Sequence, residues 1–189
     1  MVDRLKVACY GTNGHQILGK LADHPRAELR AVAEIAPPAV EKALGEHAAS
    51  VRQEPDLDAL IAADDVDLIS LCSPRRDQQT EHAVRCLRAG RHVLAEKPAA
   101  LTVEQLELLE LVADECEAEF RQMGSCGQEH VLDAVRALVD GGRLGTVVHL
   151  YAQKSYPYHD GRPQERGVDG GLIRQAGIHG IRFMQRATG

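Results

Sequence analysis

The chain has 189 residues, of which 44% are hydrophobic, enough for one globular domain and part of a second. Its formal net charge is −6, it has no tryptophan, and only 3% of its residues are aromatic. These values argue against nucleic-acid binding, which requires a basic face and stacking rings, so we expect a small-molecule partner and no nucleic acid.

The cysteines argue against a disulfide framework and against a zinc site. Cys9, Cys72, Cys86, Cys116 and Cys126 are widely spaced and form no C-x-x-C pair. The charged N-terminus leads directly into an apolar run, and no apolar run approaches the ~18 residues that a membrane span requires. We therefore expect a cytoplasmic protein with no metal, no targeting segment and no membrane contact.

Short apolar runs alternate with helical patterns over the first 123 residues. In chain order they predict a strand at 5–10, a glycine turn, a helix with Ile17, Leu18 and Leu21 at helical spacing, a strand at 28–35, a helix from 37 to about 47, a short strand at 49–53, a helix at 56–63, a strand at 66–72, a helix at 78–89 and a strand from residue 91. Thr102 then opens a capping box for a helix whose inward stripe is Leu106, Leu109 and Val112, and residues 119–123 form an edge strand. Strands separated by such helices indicate a parallel, doubly wound sheet of the α/β class.

The pattern changes near Gly124, where we expect a domain boundary. A helix is predicted to reach Val139 and to stop at residues 140–142. Residues 146–154 alternate as a half-exposed strand, residues 156–169 are typical of a loop, and residues 170–187 are predicted to be helical.

A glycine turn follows the first strand, where a dinucleotide pyrophosphate would bind at a helix N-terminus. The predicted cofactor-binding residues here are Gly11, Thr12, Asn13, Gly14, His15 and Gln16. Asn13 and Gln16 replace two glycines of the usual motif, and such a turn often has no ligand at all. Glu34, at the end of the second strand, favours the cofactor interpretation, because a carboxylate there accepts both ribose hydroxyls. It would also repel a 2′-phosphate, so NAD is favoured over NADP.

Residues 91–100 read RHVLAEKPAA, an apolar strand that ends abruptly in Glu96-Lys97-Pro98. Ligands of open α/β sheets bind at the carboxyl ends of the strands, which makes Lys97 a candidate catalytic residue. The alternative is a strand end with a solvated ion pair. His179, two residues after Gly177 on a predicted helix, is the second candidate, although a lone helical histidine is more often structural.

Together these motifs resemble the Gfo/Idh/MocA family of oxidoreductases. The matching pieces are the first strand with its glycine turn, Glu34, VDLISLCSP, AGRHVLAEKP, GRLGTVVHL and GGLIRQAGIHGI, which span nearly the whole chain. The resemblance implies a Rossmann domain at residues 1–123 and the beginning of an α+β substrate and oligomerisation domain at residues 124–189. It further implies a homo-oligomer that exchanges a hydride between bound NAD(P) and a sugar, polyol or related hydroxy compound.

The resemblance also assigns roles to single residues. Lys97 corresponds to the lysine beside the reacting carbon and His179 to the acid/base histidine. Gln175, where the family usually has aspartate, is the third predicted catalytic residue. Ser73, Pro74, Glu96 and Lys97 are predicted to contact the cofactor. Arg75 and Gln78 replace an asparagine and a histidine of the family pattern.

Two further interpretations remain open. A non-catalytic dinucleotide- or sugar-binding protein on the same fold is favoured by Gln175, and a purely structural module would leave Glu34 without a ligand. Family chains are longer than this one, so it is either a fragment or a shortened member. Because residues 170–187 carry apolar positions that need a covering surface, we expect residues 1–189 alone to self-associate.

Overall fold

The computed structural model describes residues 4–124, 129–157 and 159–188. Its strands are β1 (Leu5–Tyr10), β2 (Ala27–Ala33), β3 (Arg52–Gln53), β4 (Leu68–Leu71), β5 (His92–Ala95) and β6 (Phe120–Gln122). Its α-helices are α1 (Pro37–Leu44), α2 (Leu57–Ala62), α3 (Gln79–Arg88), α4 (Val103–Glu115), α5 (Glu129–Asp140), α6 (Arg166–Asp169) and α7 (Leu172–Thr188). None of the described helices is long and apolar enough to cross a membrane.

The six strands form one sheet in the order β3-β2-β1-β4-β5-β6, and every pairing is parallel. The α/β prediction with a doubly wound parallel sheet is confirmed. Alternate residues of β1 enter two apolar clusters, Ala8 and Tyr10 in one and Val7 and Cys9 in the other. Both faces of the sheet are therefore covered, which explains why the central strands are continuous apolar runs.

The helix predicted after the glycine turn is wrong. A single 3-10 turn, Leu18–Lys20, lies between β1 and β2. Leu18 and Leu21 are still buried, at 7% and 6% exposure, but they reach the core from irregular backbone. Gly14 and Gly19 bracket only four residues here, too few to offset the cost of nucleating a helix.

Two predictions in the later part of the chain are also wrong. Residues 146–154 form no strand: Val148 and Tyr151 are 91% and 72% exposed, and no described strand lies beside them to supply backbone partners. In α4, Leu109 and Val112 are buried as predicted, whereas Leu106 is 46% exposed. The inward stripe of α4 is therefore narrower than the sequence pattern indicates.

Residues 156–169, predicted to be a loop, contain the short helix α6, which ends where Gly170 takes a φ of +85°. Most of the other elements agree with their sequence patterns. Gly90 ends α3 with φ +77°, and the Thr102 side chain caps α4 by accepting a hydrogen bond from the backbone N–H of Gln105. The four described cysteines are free thiols, and Cys126 lies outside the described residues. The sheet ends at Gln122, and the division of the chain at residues 123 and 124 stays a prediction.

Candidate active site

The glycine turn lies at the switch point of the sheet, where the strand order reverses between β1 and β4. Gly11 has φ +71°, and a Cβ atom there would lie 2.2 Å from the carbonyl oxygen of Cys72. Gly14 has φ +122°, and a Cβ atom there would lie 2.5 Å from Cγ of Glu96. The turn therefore requires glycine at both positions. Gly14 is exposed, and its N–H donates to the carbonyl oxygen of Thr12 at 2.9 Å.

Replacing Gly11 with alanine is expected to lower the free energy of unfolding by at least about 2 kcal/mol, because left-handed strain and a backbone clash act together. Gly90→Ala is the matched control: its φ is +77°, but a Cβ atom there meets no atom within 4 Å. Urea denaturation of both variants separates the two effects, since the control carries only the strain. Equal destabilisation would contradict a role for close packing at Gly11.

Most backbone N–H groups of the glycine turn donate hydrogen bonds to other groups of the protein. The N–H of Gly11 donates to Ala33 (3.0 Å), and the N–H of Asn13 donates to Cys72 (3.2 Å). The N–H of His15 donates to the Glu96 carboxylate at 2.8 Å. With no α-helix following the turn, the predicted helix N-terminus for a pyrophosphate is absent from the described residues, so the turn lacks the favourable end of a helix dipole.

Gln16 binds the ends of two strands together. Its Nε2 donates to the carbonyl oxygens of Gly11 and Ser70 at 3.0 and 3.2 Å, and its Oε1 accepts from the Ser70 hydroxyl at 2.6 Å. The side chain thus joins the carboxyl end of β1 to β4 beneath the turn. These bonds give Gln16 a structural role that its position in the glycine motif does not indicate.

Asn13 connects the turn to the C-terminal part of the chain. Its Nδ2 donates to the carbonyl oxygens of Val168 (2.6 Å) and Pro74 (3.2 Å). Ser73 is fully buried, and its hydroxyl lies 2.9 Å from Nδ1 of His82. Asn13 is therefore hydrogen-bonded to Pro74, whereas the Ser73 hydroxyl faces His82 in the interior.

Glu34 follows β2 directly and has an unusual backbone conformation. Its φ is +54°, a left-handed value that costs a residue with a side chain about 1–2 kcal/mol. Its carboxylate is exposed and makes no hydrogen bond or ion pair with the described residues. A strained, unpaired carboxylate at the carboxyl edge of the sheet supports the predicted ribose-binding role.

A buried arginine and glutamine support the strand end that carries Lys97. Arg76 is 2% exposed and donates through Nη2 to the carbonyl oxygen of Asn13 at 2.6 Å and through Nη1 to Oε1 of Gln79. Gln79 is fully buried, and its Nε2 donates to the carbonyl oxygen of Glu96. Gln78, the residue before Gln79, replaces a histidine of the family pattern, and it is exposed.

Arg76 and Gln79 were not among the predicted site residues. The signal that could have found them is their spacing of three, which places both side chains on one face of the 3-10 turn Arg76–Gln78 and the start of α3 that follows it. Burial lowers the pKa of Arg76, partly opposed by the charge of Glu96. The pair fixes the backbone on both sides of the glycine turn and of residues 96–98.

Glu96 and Lys97 are both buried at the carboxyl end of β5, at 1% and 8% exposure. Lys97 Nζ lies 3.9 Å from Glu96 Oε1, and His15 Nδ1 lies 3.2 Å from the same oxygen. The Lys97–Pro98 peptide bond is cis. Burial lowers the pKa of Lys97, although the charge of Glu96 acts in the opposite direction. A solvated strand-end ion pair is therefore excluded, because neither group is in solvent.

His179 lies on α7, and its imidazole contacts Tyr156. The Tyr156 hydroxyl is 3.1 Å from His179 Nε2. Burial is the main cause that lowers the pKa of His179, and the positive charges of Lys97, Lys154 and His15 lower it further. Tyr156 was predicted to lie in a loop and had no predicted role. A polar loop has no periodicity, so only the folded chain brings this hydroxyl to the histidine.

Gln175 is held in place by two neighbours. Its Oε1 accepts from Arg162 Nη2 at 2.7 Å, and its Nε2 donates to the carbonyl oxygen of Asp169 at 2.6 Å. Arg162 Nη2 also lies 3.7 Å from the Asp169 carboxylate, which is buried. The side chain of Gln175 is an amide and cannot ionise. Its hydrogen bonds hold the guanidinium of Arg162 in place.

Lys97 and His179 face one cleft of about 150 Å³. The other residues that line it are Gln122, Met123, Gly124, Ile178, Ile181, Arg182 and Gln185. The structure thus brings together the two residues predicted to be catalytic, from β5 and from α7, although they are far apart in the sequence. Within the described residues, no group of three or more His, Cys, Asp or Glu side chains could hold a metal ion.

A parallel sheet in this order, with a glycine turn after its first strand and an unpaired carboxylate after its second, defines a dinucleotide-binding Rossmann domain. Within that class, the chain belongs to the Gfo/Idh/MocA oxidoreductase family. Residues 5–120 match this family, which is described as having an NAD-binding Rossmann fold. The resemblance noted from the sequence is confirmed.

Similar proteins include inositol 2-dehydrogenase of Rhizobium meliloti, 32% identical over 121 residues, which are 64% of this chain and 36% of that protein. The 1-carboxy-3-chloro-3,4-dihydroxycyclohexa-1,5-diene dehydrogenase of Comamonas testosteroni is 28% identical over 128 residues, covering 66% of this chain and 32% of that protein. This chain thus spans about a third of the length of both relatives.

One solved structure resembles the whole chain. A putative NADPH-dependent oxidoreductase from Desulfitobacterium hafniense superimposes with a TM-score of 0.75 over all of this chain and 56% of the other, at 21% identity. At that identity the likeness concerns the fold alone. It shows that the segment after the sheet, as well as the sheet itself, follows a known architecture.

Proposed function

We propose that the protein is a nicotinamide-dependent oxidoreductase that acts on a hydroxyl group of a sugar, polyol or related compound, with NAD as the preferred cofactor. The observation that carries this proposal is that Lys97, which is buried, and His179, which is partly buried, line one cleft at the carboxyl edge of the sheet. Dehydrogenases in the family, including the inositol enzyme, support the reaction class. Because the chain spans only part of those relatives, the activity is proposed for the protein as a whole.

The residues at this edge suit the ribose of a dinucleotide better than its pyrophosphate, because no helix N-terminus follows the glycine turn. The exposed backbone of Gly14 leaves room for a phosphate, and the unpaired carboxylate of Glu34 suits ribose hydroxyls. Bound there, the nicotinamide group would supply the hydride acceptor. The residues that were predicted to contact it, Ser73, Pro74, Glu96 and Lys97, would position it beside the cleft.

The catalytic roles follow from the two perturbed groups. His179 accepts the hydroxyl proton at Nε2, the nitrogen that lies 3.1 Å from the Tyr156 hydroxyl. Lys97, as an ammonium, donates a hydrogen bond to the same substrate oxygen and stabilises the negative charge that develops on it. Lys97 is buried and His179 is partly buried, which reduces the contact of both groups with water and strengthens these interactions.

The rate of alcohol oxidation is expected to rise with pH as His179 loses its proton. Because burial and nearby positive charges lower the pKa of His179, the rising limb should lie below the ordinary histidine value of about 6.5. An NMR titration of the imidazole should give the same midpoint. His179→Asn should remove the limb, while His47→Asn, on the exposed 3-10 turn after α1, should leave it unchanged. A midpoint at or above 6.5 would contradict the assignment.

A non-catalytic binding protein is the second candidate. The observation that favours it is Gln175, an amide that cannot ionise and is fixed by Arg162 and Asp169. Isothermal titration with NAD and NADP, followed by turnover measurements on a panel of polyols and acidic sugars, separates the two. Binding without turnover of any panel member would support the second candidate. A homo-oligomeric assembly is also proposed, in line with exposed apolar side chains such as Ile173, 86% exposed.

A further inference from the structure

The glycine turn has few groups of its own to offer to a diphosphate. The backbone N–H groups of residues 11, 13, 14 and 15 already donate to acceptors within the protein. In the described part of the chain no α-helix follows the turn, so no helix dipole attracts an anion there. The Glu96 carboxylate lies against the turn, since a Cβ atom on Gly14 would be 3.1 Å from its Oε2. A diphosphate at this turn therefore meets a negative charge and needs a cation.

His15 is the residue of the turn that can supply this cation. No other residue of the range 11–16 can carry a positive charge. The side chain of His15 is 79% exposed, and its Nδ1 lies 3.2 and 3.3 Å from the two oxygens of Glu96. Its Nε2 is on the other side of the ring and makes no hydrogen bond with the described residues. The imidazole thus extends from the buried carboxylate to the surface of the turn.

The carboxylate determines which nitrogen of the ring carries the proton. An ionised carboxylate only accepts hydrogen bonds, so Nδ1 of His15 is the donor. In the neutral ring Nε2 is then an acceptor, and its lone pair would face the oxygens of a phosphate. Nε2 can donate to a phosphate only after it has taken up a second proton. The carboxylate on the other side of the ring stabilises the imidazolium that results.

We propose that His15 binds the diphosphate of the dinucleotide cofactor through Nε2, and that the imidazole takes up a proton when the cofactor binds. The inference rests on the proposed function for the identity of the ligand. Because the bound form is the protonated form, cofactor affinity is highest at low pH, where His15 carries the proton before binding. It falls as the pH rises and the imidazole of the complex loses that proton.

The charged groups around His15 come from three other parts of the fold. Glu96 and Lys97 lie at the end of β5, and Lys97 Nζ is 3.9 Å from the carboxylate oxygen that His15 Nδ1 approaches. Arg76, before α3, donates to the carbonyl oxygen of Asn13. On α7, the charge of His15 is one of those that lower the pKa of His179. Lys97 and Arg76 are buried, at 8% and 2% exposure, which leaves His15 as the exposed cation of this group.

The test counts the protons that accompany binding. Isothermal titration in two buffers of different ionisation enthalpy gives this number for NAD and for ADP-ribose, which has the same diphosphate but no nicotinamide. Neither probe has a phosphate that titrates near neutral pH. We expect an uptake of up to about one proton per bound molecule of either probe at about pH 7.5. Because His15 is exposed, affinity should be only about threefold to tenfold higher at about pH 6 than at about pH 8.

Variants of His15 separate its charge from its proton. His15→Asn should take up no proton and should bind both probes with similar affinity at the two pH values. His15→Lys should also take up no proton, but should keep the higher affinity at both pH values, because an ammonium stays charged throughout. His47→Asn, on the exposed 3-10 turn after α1, is the matched control and should behave as the native protein. His179→Asn should retain the proton uptake with ADP-ribose, because His179 lies at the cleft.

The inference is overturned if NAD and ADP-ribose bind without proton uptake, or if His15→Asn takes up as many protons as the native protein. Either result leaves the oxidoreductase proposal standing, since the cofactor still binds. The proposed function fails in a different way, when binding takes up a proton through His15 but no compound of the hydroxy-compound panel is turned over. A protein that binds none of NAD, NADP and ADP-ribose would overturn both.

Discussion

Lys97→Ala is expected to lower turnover by at least about a hundredfold, the usual contribution of one positioned acid/base group. Lys97 is buried at the carboxyl end of β5 and lines the same cleft as His179. Water therefore cannot take the place of its ammonium group when the side chain is removed. Because the change leaves the buried Glu96 carboxylate without its lysine partner, the thermal midpoint should fall, and NAD affinity should weaken by much less than turnover. The measurement is kcat and KM on whichever member of the hydroxy-compound panel the native protein oxidises.

Two further variants test whether this effect is specific to Lys97. Lys97→Arg should not restore turnover, because arginine keeps its proton and its planar fork cannot occupy the same point as an ammonium. Lys42→Ala, on the exposed side of α1, should retain native turnover and shows the effect of losing a distant lysine. If Lys97→Ala keeps most of its activity, the lysine is only a buried partner of Glu96.

Glu34→Arg is expected to reverse the cofactor preference. The native carboxylate favours NAD because it accepts ribose hydroxyls and repels a 2′-phosphate, whereas a guanidinium would pair with that phosphate. Hydrogen bonds to charged groups contribute about 1.5–3 kcal/mol, so each cofactor should change affinity by roughly tenfold to a hundredfold. Isothermal titration with both cofactors measures the change.

The control for this substitution is Glu110→Arg, on the exposed side of α4. It makes the same change in net charge on the helix between β5 and β6, on the opposite half of the sheet from β2. It should leave the NAD preference intact. Equal affinity of the native protein for NAD and NADP would remove the proposed role of Glu34.

The first 123 residues were largely predictable because their strands are buried on both faces. Continuous apolar runs such as residues 66–72 and 91–95 have few alternatives, and the intervening helices fix a parallel order. The failures occur where local signals are weak. Residues 15–21 have the apolar spacing of a helix but lie between closely spaced glycines, and residues 146–154 have the alternation of a strand but no described partner.

The chain itself determined which residue types stand at the edge of the sheet. Glu34, Lys97 and His179 could each be named from a motif, because each follows a strand or a glycine at a fixed spacing. The environment of these residues could not be predicted, because the burial and the pKa of a side chain, and the charges around it, depend on groups that are distant in sequence. Tyr156 lies 23 residues from His179, and Arg76 lies 63 residues from Asn13.

Only the tertiary structure decided that Lys97 is buried rather than solvated, and that three cations surround Tyr156. It also decided that Gln16 and Gln79 bind main-chain carbonyls of neighbouring strands. The physical reason is that periodicity reports which face of an element is apolar, whereas a hydrogen bond or an ion pair depends on where two elements meet. That meeting is set by the packing of the whole sheet.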